Sequence, residues 1–514
     1  MLTFAYRLTV CAVALVMSAT PGFAQKSKDT FRQLHAQAIA TLDPYLDPRP
    51  EVYFASEMPF DRLIMLDEGA EKFVGNLARS WARPDTKTIE MELRDDVTWS
   101  DGQKFTADDV IYTLGYLSNP KSNFRFASDY DWIERVEKLG PHKIRIVASR
   151  TVPYDLARLG GYTFMFPQHV HGPLESKQDF GRAPVGTGPY KIVQVDKNTG
   201  IRAEKRTDHV HANNVKKSPS IKNVVLRGVP DRGTRVAELL AGNVDAIHDV
   251  SPDQAEDLAK SPQLAMTVTL PFAYQYMMID MKGRSGVAPL KDRRVRAAIL
   301  HAIDPEAINI MIGGKSVSLT RPPALCHPMQ LGCDYSLETP KFDRAKARGL
   351  LAEAGVPSGF DVAITTNSLA GKDIAEVVAG QLRAIGIRAN VDPQTFAAYR
   401  QLQSDGKINM MISGWGGGGL PDVGGTLDFL FEGGSRDYHG VPGWVEAAQK
   451  ANTENDDRAR RAIVKKLFDE VTTEGYIVPM APIPRFWMHT REVKIATPSS
   501  FNAYGADAWG FSWQ

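Results

Sequence analysis

The stretch Trp99 to Leu117 limits what this chain can become more than any other. Ser100-Asp101-Gly102-Gln103 reads as a tight turn, because glycine takes positive φ without a Cβ penalty and aspartate bonds its own backbone two residues on. Ahead of it, Thr88 to Arg94 alternates apolar with polar side chains, the period of a half-buried strand. Behind it, Thr106 followed three residues later by Asp109 spells a capping box, with the carboxylate favoured by the helix dipole. Val110, Leu114 and Leu117 then share one helical face. A strand, a tight turn and a capped helix in succession are units of an α/β domain.

The 514 residues, 43% hydrophobic and 24% charged, have the composition of a soluble globular protein long enough for about three domains. The first 24 residues are of another kind: Arg7 is their only charge, Leu8 to Met17 is apolar, and Gly22-Phe-Ala24 ends in small residues. This predicts a secretory signal peptide cleaved after Ala24, since its apolar core is far short of the ~20 residues that span a bilayer. Cys11 follows bulky Val10 at the start of that core and is expected to leave with it. Without Arg7, 60 basic residues balance 60 acidic ones. Such neutrality argues against nucleic acid or an anionic membrane surface as partner, and for a small solute or a protein.

Cys326 and Cys333 remain, beside Pro322, Pro323 and Pro328. In an exported chain such a pair favours a loop-pinning disulfide over free thiols or a metal clip with His327. The pairs His169/His171 and His209/His211 put both rings on one side of an extended chain. Neither brings a third ligand at metal spacing, so both are read as surface histidines. Enzyme signatures are missing: there is no G-x-S-x-G and no H-E-x-x-H, and Asn309 stands where a P-loop ending in Gly314-Lys315-Ser316 needs its first glycine. Gly186-Thr-Gly188-Pro189 departs from the dinucleotide fingerprint and precedes the strand Tyr190 to Val195 rather than a helix. Further strands are expected at Lys143 to Val147 and Tyr162 to Phe166. Past Tyr274 the pattern alternates capped helices (after Asp292, Asp304 and Asp343, and over Ile374 to Gly386) with strands at Phe360 to Thr365, Ile387 to Val391 and Ile408 to Ile412. A long amphipathic helix is expected over Asp457 to Glu474.

Leu77-Ala-Arg-Ser-Trp81, Leu93-Arg94, Asp101-Gly102, Phe105-Thr-Ala-Asp-Asp-Val110 and Gly186-Thr-Gly-Pro-Tyr190 together resemble the periplasmic oligopeptide- and dipeptide-binding proteins of ABC importers, solute-binding family 5. Thr41-Leu-Asp-Pro to Pro48, and Arg235 to Gly242 with Asn243 to Ile247 after it, are similar to the same family. The resemblance covers nearly the whole mature chain. It implies an α/β fold of the periplasmic-binding-protein type, with two lobes that close on a hinge and three domains, the first discontinuous. Domain I then takes 25–66, 182–273 and 485–514, domain II 67–181, and domain III 274–484. It also implies delivery of a peptide or peptide-sized solute to an inner-membrane permease; a monomer without cofactor or metal is expected. A secreted hydrolase of peptides or glycans is the alternative from another class.

Ligand contact is expected at Ser413-Gly-Trp415-Gly416-Gly417-Gly418-Gly419-Leu-Pro-Asp422. Consecutive glycines suggest close approach to the backbone, and Trp415 offers a flat apolar surface. In peptide-binding relatives this segment adds to the ligand backbone as a strand, and an aspartate three residues after the tryptophan holds the amino terminus. Here that position is Gly418, and the usual acidic-Pro pair is inverted to Pro421-Asp422. Oligosaccharides and opine-like conjugates therefore stand as alternative solutes, with Asp422 a candidate to reach inward. By the same analogy Arg49 and Glu51 face this loop across the cleft.

Overall fold

The computed structural model describes residues 29–514 apart from 69–71, 123, 125–126, 214, 316, 329, 417–419, 432, 496–503 and the side chain of Leu369. The expected signal peptide, and Gly417 and Gly418 of the expected ligand loop, lie outside the described residues.

Three sheets carry the fold. In a seven-stranded sheet, Thr30–His35 pairs in parallel with Asn223–Gly228 on one side and Ala246–Ile247 on the other. Gly200–Lys205 and Tyr190–Asp196 extend one flank, and Arg485–Thr490 and Leu264–Thr269 the other. An antiparallel sheet of four runs Ala78–Asp85, Thr88–Leu93, Lys143–Ala148, Ile133–Gly140. A mixed sheet of five runs Arg388–Pro393, Asp361–Thr366, Met410–Trp415, Tyr274–Ile279, Ile477–Pro482. The chain passes between the seven- and five-stranded sheets over two short connections, 270–273 and 483–484. No described helix is long and apolar enough to cross a membrane.

Local signals produce the expected elements around residue 100. Thr106 caps the helix Ala107–Ser118 in a full capping box, and Val110, Leu114 and Leu117 are wholly buried. The Asp109 carboxylate does more than cap. It accepts from the Thr106 N–H at 2.9 Å, the Gln168 N–H at 2.9 Å and the Trp99 indole N–H at 3.3 Å, which ties the turn, the helix and a distant segment together.

Two expected strands differ. Tyr162 to Phe166 is no strand beyond one bridge between Arg62 and Phe164. The Thr113 hydroxyl bonds both the N–H and the carbonyl of Phe166, and the Tyr45 hydroxyl takes the Phe164 carbonyl, so side chains replace a ladder. Asn243 to Ile247 shortens to Ala246–Ile247, because the Asn243 N–H still bonds the Glu238 carbonyl of the preceding helix. Gly186 and Gly188 are glycine for close approach: a Cβ there would fall 1.8 Å from the Pro59 oxygen and 2.5 Å from the Met58 oxygen. At the C-terminus Trp509 and Phe511 are buried in the core of the seven-stranded sheet, with the Phe511 ring centred 4.8 Å from Phe31.

Candidate functional site

A cavity of about 1080 Å³ opens between the five-stranded sheet and the rest of the molecule. Its size is that of a large small-molecule site. Tyr45, Tyr53, Phe124 and Trp132 wall one side; Trp415, Phe429 and Phe431 wall the other, and Phe272 and Ile483 of the two connections lie at the joint. The surface is thus largely aromatic, fit to receive apolar groups by stacking and area burial. Asp129, Arg150, Arg158, Asp428, Arg436 and Arg485 set charges into it.

The far wall is built from the strand Met410–Trp415, Gly416, Leu420 and the helix Gly424–Leu430. Trp415 lines the cavity with one face of its ring covered: it stacks on Phe429 at 4.0 Å and 4° between planes, and its indole N–H donates to the Thr426 hydroxyl at 3.1 Å. Gly416 is exposed on the cavity wall. Asp422 is fully engaged elsewhere. Its two oxygens take Arg460 Nη1 and Nη2 at 2.8 and 2.6 Å, Oδ1 also accepts from the Gly424 N–H at 2.6 Å, and both side chains of the pair are buried. The loop is further clamped by the Leu331 N–H on the Pro421 carbonyl and the Val423 N–H on the Leu331 carbonyl. Leu331 sits inside the loop closed by the Cys326–Cys333 disulfide, whose Cα atoms are 5.8 Å apart. Beyond the glycines, Leu420 buries itself in the core beneath the four-stranded sheet.

Arg49 and Glu51 are placed away from the cavity. The Arg49 guanidinium bonds Asp47, the Gln37 side chain and the Ala38 carbonyl, pinning the corner from which Pro48 and Pro50 reach the cavity instead. Glu51 is 6% exposed, turned inward in the first turn of the helix Pro50–Ser56 and bonded to Tyr504. Of the histidines, His171 and His209 are not on the surface. His171 is wholly buried against the Tyr112 hydroxyl, and burial pulls its imidazole down to about 4, with Lys177 adding to the shift. His209 lies 3.8 Å from Asp61, which bonds Lys216 at 2.6 Å. Among the described residues no three His, Cys, Asp or Glu side chains are arranged to hold a metal.

Asp428, Tyr154, Asn452 and Asp129 complete the cavity and were not singled out by sequence. Asp428 had one signal, a lone charge in the apolar run Gly424-Gly-Thr-Leu-Asp-Phe-Leu430; the partners Tyr154 and Asn452 had none.

The profile of the bacterial extracellular solute-binding proteins, family 5, middle region, matches residues 72–437. The chain is 25% identical over 468 residues to di/tripeptide-binding protein 1 of Pseudomonas aeruginosa, spanning 84% of this chain and 83% of that protein. It is 27% identical over 463 residues to heme-binding protein A of Haemophilus influenzae, covering 81% and 82%. The solved structure of the ABC transporter substrate binding protein CtaP of Listeria monocytogenes superimposes with a TM-score of 0.83 at 18% identity, over 94% of this chain and 99% of that one. The shared fold is a multi-sheet α/β architecture of the periplasmic-binding-protein type.

Proposed function

We propose, on the premise that the chain belongs to the bacterial extracellular solute-binding proteins of family 5, that it captures a peptide-sized solute in the periplasm and hands it to an ABC permease. The observation that carries this reading is the aromatic cavity of about 1080 Å³ set between two sheet systems, between which the chain passes over the connections 270–273 and 483–484. Two short connections beside a cleft are the anatomy of hinge closure. A solute touching both walls binds the closed form better and so draws the population towards it. In this reading the mature chain begins at Gln25. Residues 25–66, 182–273 and 485–514 form domain I, 67–181 domain II and 274–484 domain III. The two lobes are then domains I and II against domain III, with the cavity between them. Trp415 and Gly416 contribute contacts from the far wall. The di/tripeptide named for the Pseudomonas aeruginosa relative supports a peptide solute.

The test is calorimetry on the mature protein with di- to pentapeptides, oligosaccharides and opine-like conjugates. One-to-one saturable binding without product is expected. A solute at ~100 times its Kd adds ~2.7 kcal/mol of stability, visible as a rise in Tm, and X-ray scattering should show a smaller radius of gyration when it is bound. Steady product release would replace this reading by the secreted hydrolase.

A further inference from the structure

Beneath the joint between the sheets runs a chain of titratable side chains, most of it away from the cavity wall. His35 ends the central strand of the seven-stranded sheet, and its Nδ1 lies 3.0 Å from His248 Nε2; both imidazoles are buried. His248 Nδ1 lies 2.7 Å from Asp249 Oδ2, and the other oxygen of Asp249 accepts from Arg485 Nη1 at 3.2 Å. Arg485 is the first residue past the connection 483–484 and lines the cavity. Two imidazoles in the core are thus linked, through one carboxylate, to a cation on the cavity wall.

A second observation marks Asp249. Its φ of 63° makes it the one non-glycine residue in the left-handed region among the described residues. Such a backbone is unfavourable for a residue with a Cβ and persists where the surroundings demand it. Here it belongs to the residue whose carboxylate joins His248 to Arg485. Two more groups face the chain. Arg235, from the helix Arg232–Leu240, is buried and bonds the Val229 and Pro230 carbonyls. Tyr504 has its ring centred 4.5 Å from His248, lies under the Arg485 guanidinium at 5.6 Å, and bonds Glu51. Burial first, then the charges of His248 and Arg235, hold the His35 imidazole well below the usual histidine range. His35 is therefore the neutral member of the pair, and a proton added to the pair resides on His248. Burial works against the charge of Asp249, but His248, Arg485 and His35 hold its carboxyl well below the ordinary range. It is an anion with two claimants.

We propose that the His35–His248–Asp249 chain positions Arg485, so that the cavity binds solutes bearing an anionic group more tightly as pH falls through the histidine range. The proposal rests on the reading of this cavity as the solute site, and adds a residue for that group and a control over it. With His248 neutral, Asp249 spends its charge on Arg485 and holds the guanidinium at the foot of the joint. When His248 takes a proton from solvent, both its ring nitrogens donate, one towards Asp249 and one to His35 Nδ1. The carboxylate then answers the imidazolium, and Arg485 is released to a carboxylate of the solute, which a guanidinium can meet with two parallel bonds. By reciprocity, a bound anion draws a proton onto His248.

The experiment follows binding of di- and tripeptides, as free acids and as C-terminal amides, to the mature chain by calorimetry between pH ~5.5 and ~8, the span over which histidine changes charge. The acids should bind about 10-fold tighter at the acid end, within the span of ordinary coupling between two sites, and should take up protons as they bind. The amides should do neither. The two ends of the chain give opposite plateaus. His248→Gln should keep the acids at their weak, high-pH affinity, whereas Asp249→Asn, which suits the left-handed backbone, should keep them at the tight one; a merely structural role lowers both. Acids that bind alike at every pH, a pH dependence that survives both substitutions, or amides that follow the acids would overturn the chain's role and leave solute capture standing. A readout without solute separates the two readings: the Arg485 Nε–H signal in the NMR spectrum should move with the midpoint of the His248 ring signals and stand still in His248→Gln. If no probe binds, solute capture falls; an Arg485 signal that tracks His248 still keeps the positioning chain, and one that ignores pH overturns it.

Discussion

The turn-and-helix stretch 88–118 and the cleft wall 413–430 are each organised by an aspartate, in opposite ways. Asp109 accepts only from neutral donors, two backbone N–H groups and an indole, and burial pushes its carboxyl up. Asp422 meets a guanidinium with both oxygens in a site with almost no solvent. Neutral bonds spread over three partners make a joint that tolerates the loss of one. A buried ion pair does not, since removing either charge strands the other.

The largest expected effect breaks the second region. Asp422→Ala leaves Arg460 buried and unpaired and should cost ~3–5 kcal/mol, read as a fall in the urea midpoint; a loss below ~1 kcal/mol would mean that the pair does not hold this wall together. A third aspartate sharpens the contrast. Asp43 is as buried as Asp422 but among the described residues has no cation, only the Tyr45 and Leu46 N–H groups at 2.9 and 3.2 Å, and burial pushes its carboxyl from 3.8 to about 6. The folded chain thus binds this proton more tightly than the unfolded one. The cost of the charge is fully present above pH ~6 and is relieved as pH falls towards ~4. Asp43→Asn, which keeps the acceptor, should stabilise the protein by at most ~3 kcal/mol at pH 7 and by little at pH 4. Equal gains at both pH values would assign the effect to something other than ionisation. The smallest change tests the first region: Thr106→Ala removes one cap bond, the side-chain oxygen's with the Asp108 N–H, and should lower stability by ~1 kcal/mol. Asp109 would still hold Gln168 and Trp99.

The same contrast explains what was legible in the sequence. Asp109 sits three residues from Thr106 and ten from Trp99, so its motif is written in local spacing. The helix Asp457–Glu474 and its neighbours were legible for that reason, through caps and apolar period. Asp422 finds its partner 38 residues away, and Asp428 receives Tyr154 from 274 residues away. No spacing rule reaches so far, which is why Asp422 looked free to turn inward and Asp428 drew no notice. Arg49 and Glu51 stand where charge is commonly exposed, yet a corner and a tyrosine absorb them. Trp415 was legible as a cavity residue because a strand delivers it, although nothing local announced its stack on Phe429.

The two connections between the sheets are not independent threads. Thr269 pairs with Arg485 in one sheet and Tyr274 with Pro482 in the other, and between them the Ile483 N–H bonds the Ala273 carbonyl at 2.9 Å. The segments 264–279 and 477–490 therefore form one antiparallel ribbon threaded through both halves. A two-stranded ribbon bends easily across its flat face and resists bending in its own plane, where its cross-strand bonds would have to stretch. In the reading of this joint as the hinge proposed above, the ribbon would give closure one soft axis, and any solute, small or long, would meet a mouth that opens along a single track.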